Sequence, residues 1–378
     1  MRHGLVLTGG GARGAYQAGA LLGIAEITGA HELPFSVVTG TSAGSINAAF
    51  LMARADDFQG ATRALCDLWA TLKASDVFRT DVATLSSIGA RWLTDLALGG
   101  FIGSGRAKSL LDTSPLRTLL EENVDSTALA HVLDGGARTL ALTATNYHSG
   151  IAITFYQGAR ELAGWTRTGR MGARASLGVQ HVLASSAIPV FFPPVEIDGA
   201  FYADGCIRLG TPFSPAIHLG ADRALAIGTR HRSREADPFE LRHGDSPLRS
   251  PSHADVGGTL LNAVFLDAID ADFERVDRIN RTLALIPPDA RSRHELRLFP
   301  ATLLLPSTDL GAVAAKAEAH LPLMLRHLMK GLGVGDGTGW DLLSYLAFDT
   351  AFTSRLVGLG FEDAKRSSAA IESFFSGS

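Results

Sequence analysis

Two turns framed by glycine constrain this chain more than anything else in it. One is Gly9-Gly10-Gly11-Ala12-Arg13-Gly14 and the other is Gly40-Thr41-Ser42-Ala43-Gly44. Each follows a short β-prone run, Leu5-Val6-Leu7 and Phe35-Ser36-Val37-Val38, and each opens a helical stretch of small residues. Strand, tight turn and helix in that order, repeated, call for a mostly parallel sheet covered by helices on both faces. The second turn has the Gly-x-Ser-x-Gly pattern of a nucleophile elbow. Gly40 and Gly44 flank the serine because a turn this tight has no room for β-carbons there, and Ser42 is expected in a strained conformation with its hydroxyl exposed. The first turn offers the backbone N–H groups of Gly9, Gly10 and Gly11 with little side-chain cover, a surface suited to a negative oxygen. Together they supply a nucleophile and a candidate oxyanion hole.

A base is needed beside the nucleophile, and Ala203-Asp204-Gly205-Cys206 offers one after the strand-like Phe201-Tyr202. Upstream lies Ala184-Ser185-Ser186-Ala187-Ile188-Pro189-Val190-Phe191-Phe192-Pro193-Pro194. A Gly-Gly-Gly-x-Arg-Gly loop ending at Gly14, Gly-x-Ser-x-Gly, Ala-Ser-x-Ala-Ile-Pro-x-x-Phe-x-Pro and an Asp-Gly turn at Asp204-Gly205, in this order, resemble the patatin-like phospholipases. The motifs run from Gly4 to about Thr211. Where that family has Gly or Ala after Asp-Gly, this chain has Cys206, still small enough for the turn.

The resemblance implies a three-layer α/β/α domain over residues 4–230, with a mainly helical extension over 231–378 that carries a few strands. It implies lipid acyl hydrolysis through a Ser–Asp dyad of Ser42 and Asp204, by way of an acyl-enzyme, with no cofactor and no metal. The substrate is then a phospholipid or another acyl ester. Acyl transfer by the same dyad and a lipid-binding regulatory role are the alternatives.

A serine hydroxyl attacks poorly until a neighbour takes its proton. Aspartate, with a reference pKa of ~3.9, is a weak base for this, so help must come from elsewhere. A helix starting at Ser42 places its positive end on the nucleophile. Oxyanion donors contribute about 3 kcal/mol each, and by resemblance the amides of Gly10 and Gly11 do most of this. Arg13 then either meets a lipid head group or steadies the loop.

Each of these residues has a plainer reading. Ser42 could cap a helix, and Asp204 could serve only its own turn. Gly9, Gly11 and Gly14 also fit the dinucleotide pattern Gly-x-Gly-x-x-Gly, but that needs an acidic residue at the end of the second strand, and Thr39-Gly40 stands there. His148, His181, His218 and His231 are too scattered to favour a triad, and His181 reads as a core or surface side chain. No His-x-x-x-His or His-Glu-x-x-His spacing supports a metal site. Cys206 reads as a small packing residue. Phe191-Phe192 either lines an acyl channel or packs a rigid turn onto the core.

The 378 residues suffice for a full core, and 46% hydrophobic against 19% charged residues is a globular composition. A formal net charge of −4 without a basic run argues against nucleic acid and against a polybasic grip on membranes. Cys66 and Cys206 form no disulfide framework. Met1-Arg2-His3-Gly4 leads straight into the first strand, with no signal-peptide pattern, and no apolar run nears the ~18 residues of a membrane span. The expectation is a cytoplasmic protein, with room for transient contact at a membrane surface.

Along the chain, Ala15–Ile27 reads as a buried helix ended near Gly29, Ser42–Met52 as a second, and Asp57–Leu72 as a third. Ser75–Gly105 is irregular and reads as a cap-like insertion over the site. Ser114-Pro115 starts a short helix, with Ser114 as its cap. Thr139–Thr145 and Ile151–Phe155 read as paired strands, Arg174–Ser186 as a helix stopped by Pro189, and Ala224–Thr229 as a buried strand. Ser233–His253 looks like a solvated linker. Val256–Arg278 reads as one long helix, Thr282–Ile286 and Leu296–Leu305 as strands, and Gly311–Leu332 and the last forty residues as helical.

Overall fold

The computed structural model describes residues 1–79, 81, 87, 109–232, 253–265, 267–291, 296–317, 326, 330–331, 334 and 339–377. The strands are β1 (His3–Leu7), β2 (Val37–Thr41), β3 (Thr139–Asn146), β4 (Ala152–Gln157), β5 (Trp165–Arg167), β6 (Arg170–Arg174), β7 (Val195–Ile197), β8 (Ala200–Asp204), β9 (Arg223–Ile227) and β10 (Ala301–Leu304). The helices are α1 (Gly14–Thr28), α2 (Ala43–Met52), α3 (Phe58–Thr71), α4 (Ala74–Val77), α5 (Ser114–Asn123), α6 (Ser126–Asp134), α7 (Val179–Ser185) and α8 (Phe213–His218). After them come α9 (His253–Phe265), α10 (Asp267–Ala284), α11 (Pro288–Arg291), α12 (Leu310–Ala317), α13 (Trp340–Leu346), α14 (Thr350–Arg366) and α15 (Ser368–Ser376).

One sheet holds all ten strands in the order β10-β9-β1-β2-β3-β4-β6-β5, with β8 paired to β3 and β7 paired to β8. The block β10-β9-β1-β2-β3 is parallel throughout. Its middle strands are buried on both faces, so they read as apolar and small-residue runs rather than alternating ones. Leu5, Leu7, Val38, Leu140 and Leu142 face one core with α1, α2 and α3. Val6, Val37, Ala141, Ala224 and Ala226 face the other, under α8 and α10. Helix, sheet and helix make the three layers expected.

The chain beyond residue 231 returns to this same body. β10 extends the sheet alongside β9, and α14 lies along α1. Contact there is backbone to backbone: a β-carbon on Gly19 of α1 would collide with the Val357 carbonyl of α14. That close approach explains a glycine in mid-helix, where it costs about 1 kcal/mol relative to alanine.

Several elements differ from the sequence reading. The helix expected from Arg174 begins only at Val179, because Arg170–Arg174 is a strand paired parallel with β4 and Gly178 is extended. The strand expected at Thr282–Ile286 is instead the last residues of α10 and the turn after them, and the buried Ile269, Val276 and Leu283 of that helix recur at helical spacing. Val256–Arg278 falls on two helices, α9 and α10. Thr113, rather than Ser114, is the N-cap of α5. Leu296–Leu305 contains strand only over Ala301–Leu304. Of the cap-like stretch Ser75–Gly105, most lies outside the described residues, as does nearly all of the linker Ser233–His253 and much of Gly311–Leu332 beyond α12. From Trp340 onward the chain is helical, as expected.

What positions the site is an exchange of partners along β3. Thr41, the last residue of β2, lies opposite Thr143. The next residue of β3, Ala144, lies opposite Asp204, the last residue of β8. β8 thus takes over from β2 beside the same strand. The chain leaving β2 at Ser42 and the chain leaving β8 at Asp204 meet at that handover.

Candidate active site

Ser42 sits between β2 and α2 with φ 55° and ψ −130°. For a residue with a β-carbon this conformation costs on the order of 1–3 kcal/mol and needs the surroundings to enforce it. They do so with named contacts. Ser42 N–H donates to Ser185 Oγ at 3.0 Å, and its carbonyl accepts from Ser45 N (2.8 Å), Ser45 Oγ (2.6 Å) and Ser186 Oγ (3.1 Å). A β-carbon on Gly44 would run into the Leu7 carbonyl, and one on Gly40 would lie 2.5 Å from the Gly44 carbonyl oxygen. Although Ser42 occupies the N-cap of α2, its hydroxyl accepts nothing from the helix amides. It is not acting as a cap. Contrary to the exposed hydroxyl expected, the residue is only 1% exposed.

Asp204 is fully buried. Its Oδ1 accepts from Cys206 N at 2.9 Å, the local bond of a turn aspartate, while its buried Oδ2 has no hydrogen-bond partner among the described residues. Its backbone is fixed by Asp204 N donating to the Ala187 carbonyl (2.8 Å) and by Thr145 Oγ1 donating to its own carbonyl (2.8 Å). Burial pushes the carboxyl up from its ordinary value to about 7, against the Ser42 hydroxyl and the Cys206 amide, which favour the charged form. The weak base of the sequence reading is thereby moved toward neutrality. Beside it, the Cys206 thiol is pushed well up, first by burial and then by Asp204, so it stays protonated. Gly205 is required because a β-carbon there would strike the Thr143 carbonyl.

The glycine loop comes off β1 as Gly10 at φ 155° and Gly11 at φ 56°, then a 3-10 turn over Gly11–Arg13. Thr229 Oγ1 donates to the Gly9 carbonyl at 2.7 Å. Among the described residues, the Gly10 and Gly11 amides donate to no carbonyl. Gly14 begins α1, where a β-carbon would press on Ala43 at 2.8 Å and on the Trp69 ring. The Arg13 side chain is turned inward. Its Nε donates to Ser344 Oγ at 2.7 Å, an Nη donates to Asp341 Oδ1 at 2.8 Å, and the guanidinium lies 4.5 Å from the centre of the Tyr345 ring. At 3% side-chain exposure it is engaged with α13, an arrangement that fits a role in steadying the loop better than one in meeting a head group.

Ser42 and Gly11 line a cavity that is continuous with solvent. Its wall is almost wholly apolar: Ile46, Leu68, Trp69 and Leu72 from α2 and α3, Val77 from α4, Leu116 and Leu119 from α5, then Ile188, Phe192 and Phe348. Of the Phe191-Phe192 pair, Phe192 lines this space and Phe191 packs against the core. A separate cleft, lined by Gly9, Thr41, Thr143 and Cys206, lies under α8 and α10. His181 is buried against Phe155, its Nδ1 accepts from Gly178 N at 3.2 Å, and burial lowers its pKa. Among the described residues no cluster of His, Cys, Asp and Glu could hold a metal ion. No helix of the described residues is long and apolar enough to cross a membrane.

Three groups of supporting residues escaped the sequence reading. Ser185 and Ser186 stand out in the sequence only as part of a motif, yet with Ala187 they grip the backbones of both Ser42 and Asp204. Gln17 and Asn47, both fully buried, form a polar chain. Trp69 donates to Asn47, Asn47 donates to Gln17 and to the Gly14 carbonyl, and Gln17 donates to the Thr8 and Ile227 carbonyls. Their signal was available, since each is the lone amide in a mostly apolar helix. The α13 residues that hold Arg13 had none.

The three-layer fold thus brings together a strained serine elbow, a buried aspartate and an apolar cavity. A sequence profile of the patatin-like phospholipases matches residues 5–217, more than half of the chain. The chain belongs to the patatin-like phospholipase family, and its general class is that of the lipid hydrolases. No curated protein sequence matches it. Among solved structures it is similar to VipD from Legionella pneumophila, at 13% identity and TM-score 0.36 over 98% of this chain and 67% of that one. It is also similar to human GIVD cytosolic phospholipase A2 in complex with methyl gamma-linolenyl fluorophosphonate, at 14% identity and TM-score 0.45 over 99% of this chain. The chain spans 58% of the length of that human protein. A third similarity, at 16% identity and TM-score 0.28 over 98% of this chain and 78% of that one, is to the SpcU–ExoU complex of Pseudomonas aeruginosa.

Proposed function

We propose that this protein is a serine hydrolase of lipid acyl esters, phospholipids among them, working through Ser42 and Asp204. Ser42 Oγ attacks the ester carbonyl carbon while its proton passes to the Asp204 carboxylate. The carbonyl oxygen, now negative, takes hydrogen bonds from the Gly10 and Gly11 amides beside Gly9, and the positive end of α2 adds to the same field. Asp204 returns the proton to the departing alcohol or lysolipid, leaving the acyl group on Ser42. Water then attacks the acyl carbonyl, gives its proton to Asp204, and the fatty acid leaves as Ser42 recovers its hydrogen.

The observation that carries this reading is that the chain leaving β2 at Ser42 and the chain leaving β8 at the buried Asp204 meet at the handover along β3. A buried carboxyl with a pKa near 7 and one oxygen unpartnered supports the role of base at neutral pH. The apolar cavity at Ser42 supports an acyl chain as the bound group, each buried methylene contributing about 0.8 kcal/mol. Residues 4–230 are proposed to carry the reacting groups, and the substrate is proposed to be drawn from a lipid surface in the cytoplasm.

A fluorophosphonate probe tests the assignment. The wild-type protein should be labelled at Ser42, as read by peptide mass spectrometry, and should release fatty acid from a panel of phospholipids. Ser42→Ala should lose both, about a thousandfold or more in kcat. Activity above a few per cent in the purified variant would place the nucleophile elsewhere.

A further inference from the structure

We infer that α13 sets the conformation of the glycine loop through Arg13, which makes Ser344, Asp341 and Tyr345 positioning residues for ester hydrolysis. The inference rests on the proposed role of Gly10 and Gly11 as oxyanion donors. A loop with Gly10 at φ 155° and Gly11 at φ 56° has little intrinsic preference for one shape, so its amides are only as well aimed as its neighbours make them. On the β9 side the restraint is the Thr229–Gly9 hydrogen bond. On the other side it comes from more than three hundred residues away in sequence. Ser344 Oγ donates to the Asp341 carbonyl at 2.6 Å, which leaves its lone pair to accept from Arg13 Nε. Asp341 takes the guanidinium's Nη, and the Tyr345 ring covers its face.

The restraint also acts on the loop backbone directly. A β-carbon on Gly11 would collide with the Tyr345 carbonyl oxygen, so α13 and the loop are in contact at main-chain distance. α13 is in turn anchored to α9, where Tyr345 donates its hydroxyl hydrogen to Asn262 Oδ1 at 3.0 Å and Gly339 N donates to Asp255 Oδ1 at 2.9 Å. Phe348, just past α13, joins Gly11 and Ser42 in lining the apolar cavity. A shift of α13 therefore moves the oxyanion donors and the acyl wall together. Donors misplaced by a fraction of an ångström lose their effect on the transition state before they lose substrate binding.

The test uses the full chain with a short-chain nitrophenyl ester. Ser344→Ala and Asp341→Asn should each lower kcat about tenfold or more with KM within about twofold, and should slow fluorophosphonate labelling of Ser42 by a similar factor. Asp341→Glu should recover part of the loss. Each change combined with Gly10→Ala should be within about twofold of Gly10→Ala alone, because both act through the same amides. Lys365→Ala, which removes the 2.8 Å ion pair between α14 and Glu26 of α1, should leave kcat unchanged. If Ser344→Ala does not fold, Asp341→Asn at its half-exposed position carries the test. Unchanged kcat in both folded variants, or losses that multiply fully with Gly10→Ala, would overturn the inference while leaving the Ser42 assignment standing. Activity retained by Ser42→Ala in the same assay would remove both.

Discussion

At Gly40–Gly44 the chain turns against elements of its own half: the Leu7 carbonyl beneath, Ser185 and Ser186 alongside. At Gly9–Gly14 it turns against α13, whose Ser344 is 331 residues from Arg13. Both turns leave a parallel strand and enter a helix, and both need glycine where backbone meets backbone. The difference lies in what holds them. The elbow is locked by the rigid sheet and by α7, so the conformation of Ser42 is settled once the sheet forms. The glycine loop is held by side chains of a helix outside the sheet. One site thus carries two kinds of restraint, one built into the fold and one added to it.

Asp204→Asn strikes the elbow side and should have the largest effect on catalysis. With no second base beside Ser42 among the described residues, kcat should drop about a thousandfold or more, whereas His181→Ala should cost far less. The wild-type kcat/KM should rise with pH through about 7 as Asp204 ionises. The stability effect has the opposite sign. A carboxyl raised from 3.8 to about 7 binds its proton more tightly in the folded state, so the contribution of Asp204 to stability is fully present below its ordinary value of 3.8 and is lost as pH rises through about 7. By this linkage the ionised carboxyl costs about 4 kcal/mol at pH 8. Asp204→Asn should therefore raise Tm at pH 8 and leave it unchanged at pH 4. A variant less stable than wild type at pH 8 would mean that the buried charge is better satisfied than its unpartnered oxygen indicates.

Two alanine substitutions separate the turns directly. Gly44→Ala would drive a β-carbon into the Leu7 carbonyl of β1, which cannot move without the sheet. It should cost several kcal/mol of stability, at the upper end for single changes, and yield little folded protein. Gly11→Ala meets the Tyr345 carbonyl and a φ of 56°, but α13 lies outside the sheet. It should fold, with kcat down about a hundredfold, as for loss of an oxyanion donor, and KM little changed. Equal loss of folding in both would mean that the glycine loop is as much part of the sheet as the elbow.

This contrast also divides what the sequence made legible. The turns, and the serine and aspartate proposed as nucleophile and base, could be read because tight geometry permits few residue types: glycine at Gly40, Gly44 and Gly205, and a serine and an aspartate at strand ends. The parallel character of the sheet followed from the strand–turn–helix repeat. The handover from β2 to β8 along β3 could not be read, since antiparallel entry of β8 into a parallel block has no local signature. Nor could the α13 clamp, because Ser344 and Asp341 sit in an ordinary helical sequence and gain meaning only from Arg13. Thr282–Ile286 misled for a related reason: its β-prone residues are overridden by the buried stripe of Ile269, Val276 and Leu283 that continues α10.

The smallest effects should come from the two serines that grip the elbow, and they should not be equal. Ser185 Oγ accepts from Ser42 N (3.0 Å) and donates to the Thr143 carbonyl (2.7 Å). Ser185→Ala would leave a fully buried amide and a buried carbonyl without these partners, at about 1–3 kcal/mol of stability. With the elbow less firmly held at its strained φ, kcat should fall about tenfold. Ser186 Oγ donates to the Ser42 carbonyl at 3.1 Å, but that carbonyl also accepts from Ser45 N and Ser45 Oγ. Ser186→Ala therefore removes one of three bonds to the same oxygen and should change kcat by about threefold or less, with a loss of stability near 0.5–1 kcal/mol. Thermal melts and nitrophenyl-ester kinetics on the two variants give the ranking. If Ser186→Ala proved the more damaging, the elbow would depend on its carbonyl rather than its amide, and the two bonds from Ser45 would be no substitute for the one from Ser186.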